Sequence, residues 1–238
     1  MCIRDSFDTD PKKVENLNAG RSYIQHIPAE KIAEHVKGGR LDATTDFTQI
    51  RNMDAVLICV PTPLDERREP DLSYVEQTAL SISPNLQRTQ LIVLESTTYP
   101  GTTEELVLPI LERSGLKCPI TRGPESENVA TDFFLAFSPE REDPGNKQFG
   151  LAQIPKVVGG TNPPSRRAAA ALYAQVVSRV VPVSSTRAAE MVKLLEKLRR
   201  GHQRSSRLWR CTRNPDIRLR SRRPLQSMPR VPPLRDWE

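Results

Sequence analysis

Ala55-Val56-Leu57-Ile58-Cys59-Val60 carries the strongest architectural signal in the chain. Six apolar residues run without a polar break, and Pro61 and Pro63 end the run abruptly. Such a run predicts a strand buried on both faces of a parallel sheet, because an antiparallel strand with one wet face alternates instead. Leu91-Ile92-Val93-Leu94 has the same character.

Outward from these two runs, strands alternate with helical patterns. Phe7-Asp8 reads as a strand stub, and further strands are expected over 41–44, 133–137, 156–158 and 180–183. Helices are expected over 11–19, 28–37, 72–86, 102–113, 164–177 and from Thr186 through Leu195. Pro11 suits a first helical turn, and Gly38-Gly39 and Ser114-Gly115 suit helix ends. Alternation of this kind predicts a doubly wound α/β domain with its ligand site at the carboxyl ends of the strands.

Composition divides the 238 residues unevenly. The net charge of +6 suggests a nucleic-acid partner, but residues 198–238 hold twelve Arg, no Lys and three acids, a net +9. Residues 1–197 therefore carry −3. The tail also holds both Trp and five of the 21 Pro, and it has no sustained apolar period to bury. Two readings stand for it: translation out of frame, which the abrupt change favours, or a disordered Arg-rich arm for polyanions. At the other end, 1–6 lacks the apolar core of a signal peptide and reads as a non-native leader. No run of 18 apolar residues is present, so no membrane partner is expected. Cys2, Cys59, Cys118 and Cys211 have neither metal spacing nor a disulfide framework, which fits a cytoplasmic protein without metal. Cys59 reads as a buried apolar filler, and His26 and His35 as surface residues.

Several segments carry chemistry. Asp8, in Phe7-Asp8-Thr9-Asp10-Pro11-Lys12-Lys13, is either a helix cap or the acid that ends a dinucleotide-binding strand and accepts from the ribose hydroxyls. Thr62, in Val60-Pro61-Thr62-Pro63, either sits in a plain turn or presents a hydroxyl at the sheet edge. Glu95-Ser96-Thr97-Thr98-Tyr99-Pro100-Gly101-Thr102-Thr103 joins a strand to a helix, and its hydroxyls suit capping as well as holding a water. Glu140 follows an apolar strand in Phe137-Ser138-Pro139-Glu140-Arg141-Glu142-Asp143-Pro144-Gly145-Asn146. A carboxylate so placed usually has a task beyond solvation. Lys193 lies in Ala189-Glu190-Met191-Val192-Lys193-Leu194-Leu195-Glu196, where the plain reading is an exposed helix lysine.

The segment 137–146 closely resembles the Ser-Pro-Glu-Arg-x-Asp-Pro-Gly signature of the UDP-glucose/GDP-mannose (nucleotide-sugar) 6-dehydrogenases, and most closely their UDP-N-acetylglucosamine 6-dehydrogenase branch. The resemblance runs from about Phe7 to Glu196. It implies an NAD-dependent enzyme that oxidises the C6 alcohol of a UDP-sugar to the uronate through a cysteine thiohemiacetal and thioester, for polysaccharide biosynthesis. It assigns Asp8, Lys13, Thr62 and Thr97 to the cofactor, Thr97 and Glu140 to the catalytic water, and Lys193 to a developing oxyanion. UDP-N-acetylglucosamine is favoured as substrate, then UDP-glucose, and intact members are homo-oligomers.

The resemblance also marks departures. No glycine-rich turn precedes Asp8, Lys197 stands where the family has Asn, and no Gly-Gly-x-Cys loop follows. The expected organisation is a leader (1–6), a partial, incomplete Rossmann-like NAD-binding domain (7–184), the start of a central connecting helix (185–197) and an anomalous tail (198–238). Such a chain is expected to bind NAD poorly or not at all and to turn over negligibly. The alternative from another class is a non-catalytic nucleotide- or polyanion-binding fragment, which salt-dependent binding of RNA or DNA by the tail would reveal.

Overall fold

A computed structural model describes residues 4–23, 27–63, 70–122, 126–140 and 154–195, all within one compact unit, Met1–Glu196. The tail (198–238), Lys197, His26, Cys2, Cys211 and the segment from Arg141 to Asn146 lie outside the described residues.

Two sheets form. The first pairs β1 (Arg4–Phe7) with β2 (Leu41–Thr44) in parallel. The strand thus begins at Arg4 rather than Phe7, and residues 4–6 of the expected leader belong to it. Between these strands run α1 (Pro11–Asn18) and α2 (Ala29–Lys37). Asp10 caps α1 by accepting from the Lys12 N–H, and Pro11 opens the first turn. Leu17, Ile32 and Ala43 make the small core of this layer.

The second sheet has the order β3-β4-β5-β6-β7, from β3 (Ala55–Ile58), β4 (Leu91–Leu94), β5 (Phe134–Phe137), β6 (Lys156–Gly160) and β7 (Val180–Pro182). The helices are α3 (Ser73–Ile82), α4 (Leu108–Leu111), α5 (Pro163–Tyr173) and α6, residues 186–195. A π-helical turn, Thr103–Val107, leads into α4, and short 3-10 turns extend α3 and α4, so the helices expected over 72–86 and 102–113 are broken rather than continuous. Ile92, Leu94, Leu135 and Phe137 point to a core shared with α3 and α4, while Leu91, Val93 and Ala136 point to α5. Both faces of β4 are therefore dry, as its unbroken apolar run requires.

Two expectations need correction. The sheet is not wholly parallel: β6 runs antiparallel to β5, with Ala136 opposite Gly160 and Phe137 opposite Gly159. β3 is not buried on both faces either. Its only partner among the described residues is β4, and Leu57, level with Val93 on the α5 side, is 43% exposed because α5 lies over the later strands.

Close approach explains Gly159. A Cβ built there would lie 2.2 Å from the Ser185 carbonyl oxygen, so only glycine lets β6 pass the start of α6. Ala189 of α6 joins the larger core. The described part of α6 thus packs in the same unit as the strands.

Candidate active site

The carboxyl ends of β3, β4 and β5 meet at one pocket of about 330 Å³, lined by Cys59, Val60, Pro61, Thr62, Glu95, Ser96, Thr97 and Glu140. Parallel strands all end on the same side, so the three chain turns converge there although long crossovers separate the strands in sequence. Ser96 locks two of them: its Oγ accepts from the Val60 N–H at 3.0 Å and donates to the Val60 carbonyl at 2.7 Å. Thr62 Oγ1 donates to the Thr97 carbonyl at 2.8 Å, so two residues singled out separately in the sequence are bonded partners. The Glu140 N–H reaches the Glu95 carbonyl at 3.4 Å, which fixes the third turn.

Lys193 comes from α6 and donates through Nζ to the main-chain carbonyl of Glu140. It is half-buried, not the solvated lysine of the plain reading. Asp8 lies at the end of β1 and does not line the pocket. Its Oδ1 accepts from the Asp10 N–H at 2.9 Å, and its Oδ2 pairs with Lys13 Nζ at 3.2 Å. The hydrogen bond and charge of Asp8 raise the Lys13 ammonium above its ordinary value. The helix cap is Asp10, which leaves Asp8 with a carboxylate side chain 25% exposed at the strand tip.

The expected hydroxyl capping of the 102–113 helix is replaced by a carboxylate. Glu190 of α6 accepts from the Gly101 N–H at 2.6 Å, the Thr103 N–H at 3.0 Å and Thr103 Oγ1 at 2.7 Å. Burial pushes Glu190 up, and these donors pull it back without cancelling that shift. Nearby, Glu104 accepts from Thr186, Arg187 and Arg122. Burial alone would raise Glu104, but the three donors prevail and hold it below the usual carboxylate range.

Sequence reasoning passed over the floor of the pocket. Glu95 is buried, and its Oε1 receives Lys156 Nζ at 2.8 Å together with the Tyr173 hydroxyl. Its Oε2 accepts from Cys59 Sγ at 3.2 Å. Lys156 Nζ also stands 5.0 Å from the centre of the Tyr173 ring. Cys59 is not a strand filler: the residue is exposed beyond the end of β3, and its thiol turns in to Glu95. Burial of the sulfur and the Glu95 charge push that thiol up, so it is a poor nucleophile. Burial and Glu95 likewise push the Tyr173 hydroxyl up. Glu95 ends a buried strand as Glu140 does, and the same argument applied to it would have found this cluster.

The side chains at the two strand ends are of the kinds that a dinucleotide's ribose and nicotinamide take. Asp8 and Lys13 offer a charged acceptor and a cation at one strand end, and Thr62, Thr97 and Glu140 offer a concave, hydroxyl-lined pocket at another. The NAD binding domain of the UDP-glucose/GDP-mannose dehydrogenase family matches residues 6–177. The chain is 36% identical over 190 residues to UDP-N-acetyl-D-mannosamine dehydrogenase of Yersinia pestis, covering 79% of this chain and 44% of that protein. It is 30% identical over 196 residues to UDP-N-acetyl-D-glucosamine 6-dehydrogenase of Pseudomonas aeruginosa, covering 82% and 43%. The crystal structure of NDP-N-acetyl-D-galactosaminuronic acid dehydrogenase from Methanosarcina mazei Go1 superposes with a TM-score of 0.70 at 32% identity, over 83% of this chain and 41% of that one. The chain thus spans less than half the length of these relatives. It belongs to the UDP-glucose/GDP-mannose dehydrogenase family, whose NAD-binding domain it carries.

Proposed function

We propose that this chain is the NAD-binding part of a dehydrogenase that oxidises the C6 alcohol of a UDP-N-acetylhexosamine to the uronate, for polysaccharide biosynthesis. UDP-N-acetylglucosamine is the favoured substrate and UDP-glucose the second. The observation that carries this reading is the convergence of Thr62, Thr97 and Glu140 on one pocket, with Lys193 bonded at its rim.

Two NAD molecules, bound in turn, would each accept one hydride from C6, the two oxidations that take the alcohol to the carboxylate. Asp8 would accept from the adenosine ribose hydroxyls, with Lys13 beside it. Thr62 and Thr97 would line the nicotinamide end. Glu140 would take a proton from a water held against the Thr97 hydroxyl. The Lys193 ammonium, already drawn to the pocket rim, would face negative charge developing on the substrate oxygen.

Calorimetric titration of NAD into the full chain tests the cofactor half of this reading. Weak but saturable binding is expected, weakened about tenfold further by Asp8→Ala, the worth of hydrogen bonds to a charged group. Equal affinity in the variant, or no saturable binding, would overturn it.

A further inference from the structure

We propose that Glu95 is a positioning residue of this site, a buried anion that ties the turn after β3 to β6 and so sets the shape of the nicotinamide pocket. The claim rests on the cofactor reading above for the identity of the pocket, and on the following geometry for the role.

The Glu95 side chain reaches in two directions from the end of β4. Oε2 holds Cys59, the first residue of the pocket wall formed by 59–62. Oε1 holds Lys156 and Tyr173, which lie beyond β5 on β6 and at the end of α5. One carboxylate at the end of β4 thereby joins the turn after β3 to β6 and to the end of α5, reaching past β5. The antiparallel run of β6 makes this possible. A parallel strand would begin at the far side of the sheet, whereas the register of Ala136 with Gly160 and Phe137 with Gly159, carried onward, brings Lys156 level with Glu140. Ser138 Oγ, donating to the Val157 carbonyl at 2.8 Å, holds that alignment. Lys156 and Glu95 are nearly sealed from water, with side-chain exposures of 12% and 8%. An ion pair in such surroundings is rigid, since neither partner has solvent to turn to. The reaction assigned to Thr97, Glu140 and Lys193 uses none of these four side chains directly. Their common effect is to fix the wall on which Thr62 and Thr97 stand.

The test compares two ligands, NAD and ADP-ribose, which lacks the nicotinamide. With Glu95→Gln in the full chain, NAD affinity is expected to fall about tenfold while ADP-ribose affinity stays within about twofold. Lys156→Met should reproduce the selective loss, and Lys156→Arg should restore most of it. If both ligands weaken together, or neither changes, the positioning role is wrong. If the unaltered chain binds neither ligand, the cofactor reading fails, and alkylation of Cys59 then decides the network separately. Peptide mapping with iodoacetamide should show Cys59 reacting about tenfold faster in Glu95→Gln, with amide exchange in Leu91–Leu94 unchanged. An unchanged Cys59 rate, or faster exchange throughout β4, would overturn the proposal.

Discussion

Lys193 Nζ donates to the main-chain carbonyl of Glu140, joining α6 to the turn that follows β5. A cation and a candidate base far apart in the sequence are held together by packing rather than by proximity in the chain. Ser185 starts that helix by accepting from the Ala188 N–H, and Ala189 seats it in the core.

Gly159→Ala tests this seating. The added methyl would stand 2.2 Å from the Ser185 carbonyl oxygen and 3.0 Å from the Ala189 Cβ. Backbone cannot yield as a side-chain tip can, so α6 must shift away from β6. A loss of about 1–3 kcal/mol is expected in urea denaturation, typical of overpacking. Unchanged stability would show that α6 is not fixed at this contact.

Glu190→Ala strips the carboxylate from three donors at once, the Gly101 N–H, the Thr103 N–H and Thr103 Oγ1. Each lies in a buried turn, and an unsatisfied buried donor costs about 1–3 kcal/mol. A loss of about 3 kcal/mol or more is expected by denaturation, because water entering the gap satisfies part of the deficit.

Glu104 gives the fold an acid-sensitive contribution. Its folded-state pKa lies below the ordinary value of 4.5, so its stabilisation is present above that value and fades as pH falls through the lower, folded one. Glu190 has the opposite sign: raised by burial, it favours the folded state more as it protonates. Glu104→Gln should therefore cost about 1–3 kcal/mol at pH 7, as for hydrogen bonds to charged groups, and progressively less below about pH 4. A cost independent of pH between about 3 and 7 would contradict the assignment.

Lys156→Met leaves Glu95 buried beside Tyr173 and Cys59 without its cation. Removing one partner of a buried pair costs about 3–5 kcal/mol, whereas replacing both by apolar residues can be nearly neutral. The double variant Lys156→Met with Glu95→Leu should therefore be more stable than Lys156→Met alone. Equal or lower stability of the double variant would show that the pair itself, not the stranded charge, holds the floor of the pocket.

The alternation of apolar runs and helical patterns carried the element order, because burial on two faces leaves an unbroken run such as 91–94 that no other structure explains. Thr62, Thr97 and Glu140 share one pocket for a related reason: each follows an apolar run that ends at the same edge of the sheet. What escaped depends on long-range direction. Nothing local in Lys156-Val157-Val158-Gly159-Gly160 says that β6 runs antiparallel, yet that direction alone delivers Lys156 to Glu95. Glu190 was read as part of a helix and serves as the cap of a turn near Gly101, a pairing visible only once α6 is packed. Leu57 misled in the other direction, since β3, which pairs only with β4 among the described residues, is as apolar as β4 itself.

Chemical-shift mapping of NAD on the isotope-labelled full chain asks whether one ligand engages both strand ends. Saturable shifts are expected at the amides of Asp8, Lys13, Thr62, Thr97 and Glu140 with a common dissociation constant, and loss of the Lys13 shift in Asp8→Ala. Shifts confined to the arginine-rich residues 198–238, or none that saturate, would contradict the cofactor reading and favour a polyanion-binding chain.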